Sequence, residues 1–71
     1  MEKNKYQFFS CNSRNKKKEK IFEGWYTKEC MVAMTAGLAI GIHQFRKTVV
    51  ILVYLCHDDG TIDLVHSFDF R

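Results

Sequence analysis

After a short charged start, aromatic residues crowd the chain: residues 6–11 read Tyr-Gln-Phe-Phe-Ser-Cys, the composition of a strand. Residues 12–18 are polar and mostly basic and read as a loop. In residues 21–27, Ile21, Glu23 and Trp25 alternate with Phe22, Gly24 and Tyr26, the two-residue period of a second strand. These two strands are expected to form a hairpin with a long basic tip. Gly24, set among large aromatics, marks a bulge or a close backbone approach.

At Thr27 the period changes. Its hydroxyl can cap the free amides of a first helical turn, with Glu29 placed to complement the helix dipole, so one helix is expected over residues 27–47. At 100° per residue Met31, Met34, Leu38, Ile42 and Phe45 fall along one line, the stripe expected to face a sheet. Arg46 and Lys47 fall in the last turn, where positive charge suits the exposed carbonyls. The opposite side carries Val32, Ala33, Ala36, Ile40 and His43, flanked by Gly37 and Ala39, where a surface helix ordinarily carries charge. This predicts a covered second face, and Ala33, Gly37 and Gly41 at intervals of four would let another backbone approach. The competing reading is that alanine is a good helix former that tolerates water.

Residues 48–56, Thr-Val-Val-Ile-Leu-Val-Tyr-Leu-Cys, are apolar at successive positions, as in a strand from the middle of a sheet. His57-Asp58-Asp59-Gly60 supplies a tight turn, with either a two-residue Asp59-Gly60 or a three-residue Asp58-Asp59-Gly60 loop. The chain returns over residues 61–70 with Ile62, Leu64, Phe68 and Phe70 alternating against Asp63, Ser67 and Asp69, and His66 in the apolar register. Leu55 or Cys56 would share a face with Ile62.

The order β-β-α-β-β predicts a single small α+β domain over residues 1–71: a four-stranded, mainly antiparallel sheet with one helix across one face. The layout is similar to the β-grasp, protein G type. One helix covers one face. The other face, with Val50, Leu52 and Tyr54 or their neighbours, is left for a partner.

Composition narrows the function classes. Seventy-one residues with 46% apolar and 27% charged leave room for one modest core, and a chain this short gains from oligomerisation or a partner. The net charge of +3 is mild, but it is polarised. Five basic residues lie between Arg14 and Lys20, and four aspartates lie from Asp58 onward. Three cysteines without a repeated spacing fit a reducing cytoplasm better than a secreted disulfide scaffold. No secretory signal opens the chain, and the thirteen uncharged residues 30–42 fall short of the roughly twenty that cross a bilayer, so no membrane role is expected.

Catalytic and metal chemistry find little footing. Cys11, Cys30, Cys56, His43, His57 and His66 form no paired zinc spacing, so neither a metal nor another cofactor is expected. Cys56, His66 and an aspartate can be nominated as a nucleophilic set, but a one-helix sheet offers little pocket to exclude water. The glycines of residues 35–41 lack the lysine and hydroxyl of a phosphate loop. No enzymatic activity is expected.

Binding is the remaining class. Arg14, Lys16, Lys17, Lys18 and Lys20 could neutralise phosphates or an anionic protein, and Tyr6, Phe8, Phe9, Trp25 and Tyr26 could stack bases. The leading expectation is a small non-enzymatic binding or inhibitor protein. It would form a homodimer through Val32, Ala33, Ala36, Ile40 and His43 and occupy a surface on a larger protein target. Lys- and Asn-rich, cysteine-containing and without motifs, the chain resembles in type the short inhibitors of phages and mobile elements, anti-CRISPR and other anti-defence proteins among them. The alternative is a nucleic-acid-binding regulator or antitoxin that uses the basic hairpin tip.

Overall fold

The computed structural model describes residues 2–11, 17–44 and 49–70. Its elements are β1 (Asn4–Cys11), β2 (Lys18–Tyr26), α1 (Lys28–His43), β3 (Val49–Cys56) and β4 (Ile62–Phe70). The four strands form one sheet in the order β2-β1-β3-β4, with every neighbouring pair antiparallel. The expected α+β class and element order hold. The β-grasp likeness does not extend to the connections: that layout sets the first and last strands side by side and parallel, whereas here β1 pairs with β3 and β4 is an edge.

Because β2 and β3 both run antiparallel to β1, they run parallel to each other on its two sides. A chain leaving β2 must therefore return to the far end of the sheet before starting β3. Sixteen helical residues rise about 24 Å, close to the roughly 26–30 Å of an eight- or nine-residue strand, so α1 makes that return in one pass. The Thr27 hydroxyl accepts from the Cys30 amide at 3.3 Å, the cap expected from the sequence. The helical residues end at His43, with Gln44 as the C-cap, short of the expected residue 47; Phe45, Arg46 and Lys47 lie outside the described residues.

The core lies between α1 and one sheet face and consists of Tyr6, Phe8, Met31, Ala39, Ile51 and Val53, with Thr35 and Ser10 also buried. Met34, Leu38 and Ile42 pack against it as expected. The most buried helical line is Met31, Thr35 and Ala39, rotated by roughly 60° from the stripe read by hydrophobicity alone. A threonine fits there because its hydroxyl donates to the Met31 carbonyl at 2.8 Å, leaving no unsatisfied polar group. With this rotation α1 lies mainly over β3 and β4. Beside it, over β1 and β2, opens a cleft of about 510 Å³ bordered by Gly37, Gly41, Leu38, Ile42, Ile21, Ser10 and Glu19.

Both edge strands carry one residue more than their inner partner. Phe8 pairs with Phe22 but Phe9 with Lys20, which leaves Ile21 extra; Val53 pairs with His66 but Tyr54 with Leu64, which leaves Val65 extra. Each bulge switches the face that the alternation addresses. In β2 it brings both Ile21 and Phe22 to the helix side, where Phe22 meets Phe8 edge-on with centroids 6.1 Å apart. Gly24 is therefore not the bulge. It is the close approach, since a Cβ there would stand 2.8 Å from the Tyr26 ring. In β4 the bulge divides the apolar register: Phe68 packs toward the helix, while Ile62 and Leu64 follow Cys56 and Tyr54 to the other face.

The β3–β4 connection is the three-residue form. His57 N–H donates to the Thr61 carbonyl at 2.9 Å and Gly60 N–H to the His57 carbonyl at 3.1 Å, with Gly60 at φ +89°. Cys56 thus pairs with Ile62.

Two substitutions separate the glycines by role. Gly41→Ala, whose Cβ meets nothing within 4 Å, is expected to stabilise by about 0.5–1 kcal/mol through helix propensity. Gly60→Ala is expected to cost about 1 kcal/mol through its positive φ. Urea denaturation reads both, and equal signs would contradict these assignments.

Candidate functional site

Among the described residues, no second layer covers the face of the sheet turned away from α1. Alternation from the paired residues assigns it four strands of side chains: Trp25, Glu23, Lys20 and Lys18 from β2; Lys5, Gln7, Phe9 and Cys11 from β1; Val50, Leu52, Tyr54 and Cys56 from β3; Ile62, Leu64, Ser67 and Asp69 from β4. Its β3–β4 half is apolar, with Ile62 47% and Leu64 56% exposed. Its β1–β2 half is charged, and Trp25 stands 61% exposed at the corner.

A polar network organises the charged half. Gln7 Nε2 donates to Glu23 Oε1 at 2.8 Å, and the Lys5 and Lys20 ammonium groups lie 3.8 and 3.9 Å from the same carboxylate. The amide hydrogen bond first, and the two lysines after it, hold Glu23 below its ordinary carboxylate range. This contribution is present above that range and is lost as pH falls through the lowered value; solvent at this exposed residue keeps it small.

An aromatic pair sits where the two halves meet. The Phe9 and Tyr54 rings stand on the two central strands, with centroids 5.3 Å apart and planes at 86°, an edge-to-face contact. Lys18 reaches across from β2: its Nζ donates to the Tyr54 hydroxyl at 2.8 Å and lies 5.4 Å from the ring centre. That hydrogen bond, more than any other neighbour, raises the Lys18 pKa above its ordinary value.

The residues nominated from sequence fall in several places. Of the basic cluster, Arg14 and Lys16 lie outside the described residues, Lys17 is exposed, and Lys18 and Lys20 join the open face. Of the five stacking candidates only Phe9 and Trp25 reach that face; Tyr6, Phe8 and Tyr26 belong to the helix side. On α1, Val32 is 40% and Ile40 52% exposed and Ala33 is exposed, while Ala36 and His43 are half-buried, so the nominated outer face is not one uniform surface.

Cys56 and His66 take opposite faces, so the nominated nucleophilic set does not assemble. His66 turns to the helix side, and its buried Nε2 has no hydrogen-bond partner among the described residues. Cys30 is exposed, and Cys11 and Cys56 are half-buried. His57 instead pairs with Asp63 at 2.7 Å beside the acidic turn, where the Thr61 hydroxyl and amide donate to Asp59 and lower its pKa. No group of three or more His, Cys, Asp or Glu able to hold a metal ion occurs among the described residues. No helix among them is long and apolar enough to cross a membrane.

The exposed pair Ile62 and Leu64 was missed as part of this face, although adjacent apolar Leu64-Val65 followed by polar His66-Ser67 interrupts the alternation where the bulge occurs.

Tyr54→Phe keeps the ring and removes the hydroxyl. The Lys18 pKa, followed through its 13Cε shift, is expected to fall back to the ordinary lysine range; an unchanged titration would contradict the assigned cause. Searches against protein-family models, curated proteins and solved structures find no match.

Proposed function

We propose that the chain is a small non-enzymatic binding protein whose working surface is the open face of its sheet. One observation carries this: Phe9, Leu52, Tyr54, Ile62 and Leu64 form an apolar and aromatic surface on a face that no element among the described residues covers. A contiguous surface of this kind, bordered by charge, is what interaction sites present. Binding here would obstruct whatever the ligand otherwise engages, which is the action of an inhibitor or regulator. Cys11, Cys30 and Cys56, which form no disulfide among the described residues, suit a reducing compartment such as the cytoplasm.

The reading includes a homodimer joined through the outer side of α1, leaving the sheet free. Support comes from the exposed Val32 and Ile40 on a stretch, Cys30 to Ile42, that contains no Asp, Glu, Lys or Arg. Facing its own copy, such a surface buries no unpaired charge.

Two variants test the reading. Leu64→Glu, at an exposed position, is expected to melt with the parent and to lose the partner that immobilised parent protein retains from a bacterial lysate; Ile40→Asp should keep that partner. Light scattering is expected to give the parent twice the single-chain mass and Ile40→Asp the single-chain mass. Full retention by Leu64→Glu would overturn the sheet-face assignment. A monomeric parent, or a dimeric Ile40→Asp, would overturn the dimer.

A further inference from the structure

The open face combines three features that an apolar protein contact does not require together. Phe9 and Tyr54 stand on neighbouring central strands, and Trp25 stands at the edge of the same face with most of its surface in water. Lys5, Lys18 and Lys20 share that face, against the carboxylates of Glu23 on β2 and Asp69 on the far edge strand β4. Lys18 has no carboxylate within ion-pair distance among the described residues; its ammonium is spent on the rim of the Tyr54 ring.

From this arrangement we infer that the open face binds single-stranded nucleic acid, with bases against Phe9, Tyr54 and Trp25 and phosphates on Lys18 and Lys20. The inference rests on the reading of this face as the working surface and names its ligand class. Unpaired bases offer apolar planes that stack on aromatic side chains, and the backbone they hang from is anionic. Both requirements are met within one sheet face. An antiparallel four-stranded sheet with aromatics on its central strands is also a known way of presenting such a platform. A duplex hides its base planes, and a broad sheet face cannot enter its grooves as a helix or two-stranded ribbon does. An acidic polypeptide would satisfy the lysines but would leave the ring faces without a planar partner. The ammonium of Lys18, held by a neutral hydroxyl, can pass to a phosphate without breaking an ion pair.

Fluorescence anisotropy with labelled ten-nucleotide oligo-U and oligo-dT, and with a mixed-sequence duplex of equal length, tests this on the full chain in low salt. Single strands are expected to bind and to quench Trp25 emission, with the duplex at least tenfold weaker. Engagement of about two or three phosphates sets the logarithmic salt slope near −1.5 to −2. Trp25→Ala, at an exposed position, is expected to weaken binding about tenfold with the salt slope kept. The double variant Lys18→Glu with Lys20→Glu should weaken it as much and flatten the slope.

Absence of single-strand binding overturns the inference. So does duplex binding of equal strength, or polyglutamate displacing the oligonucleotide at equal charge concentration. If oligonucleotides fail while Leu64→Glu still loses its retained partner, the face remains the working surface and only the ligand class is wrong. If that partner is retained as well, both readings fall.

Discussion

A sheet has two faces, and the described residues supply one helix to cover them. The covered face gathers Tyr6, Phe8, Ile51 and Val53 beneath Met31, Thr35 and Ala39, and each large apolar side chain buried there contributes on the order of 1.5–3 kcal/mol. The other face holds half of the apolar residues of β3, because a central strand that is apolar throughout must present them on both sides. The uncovered apolar surface thus follows from placing β3 second from the edge with no further element among the described residues to lie over it.

The two bulges decide how that surface is distributed. At Ile21 the extra residue gathers apolar side chains toward the helix; at Val65 it sends Ile62 and Leu64 away from it. Bulges on both edge strands also disturb the regular row of backbone donors and acceptors that a further strand would need. Neither edge therefore offers an unbroken row for strand addition. Charge is arranged along the strands as well. Asp58, Asp59 and Asp63 gather at the β3–β4 turn, whereas Lys18 and Asp69 lie in one row at the other end, joined through Cys11 and Val50.

Much of this was legible in the sequence, since strand and helix periods are local. The Thr27 cap, the central position of β3, the Gly60 turn and the β-β-α-β-β order follow from side-chain chemistry within a few residues. The helix rotation was not legible, because α1 is apolar nearly all round and hydrophobicity alone does not choose between Leu38 and Thr35 as the deepest position. The faces of β2 and β4 were misassigned because a bulge changes parity without changing composition. Its trace is an apolar doublet, Ile21-Phe22 or Leu64-Val65, that interrupts the alternation. The meeting of Lys18 with Tyr54, thirty-six residues apart, depends on which strands pair and could not be read locally.

The division of β4 between the two faces is the claim on which the rest stands, and methyl-resolved nuclear Overhauser spectroscopy tests it most directly. The Leu64 methyls are expected to show cross-peaks to the Tyr54 ring and none to α1, while the Phe68 ring shows contacts on the helix side of the sheet. Cross-peaks from Leu64 to Met34, Leu38 or other α1 side chains would place both residues on one face, remove the open apolar surface and contradict the account.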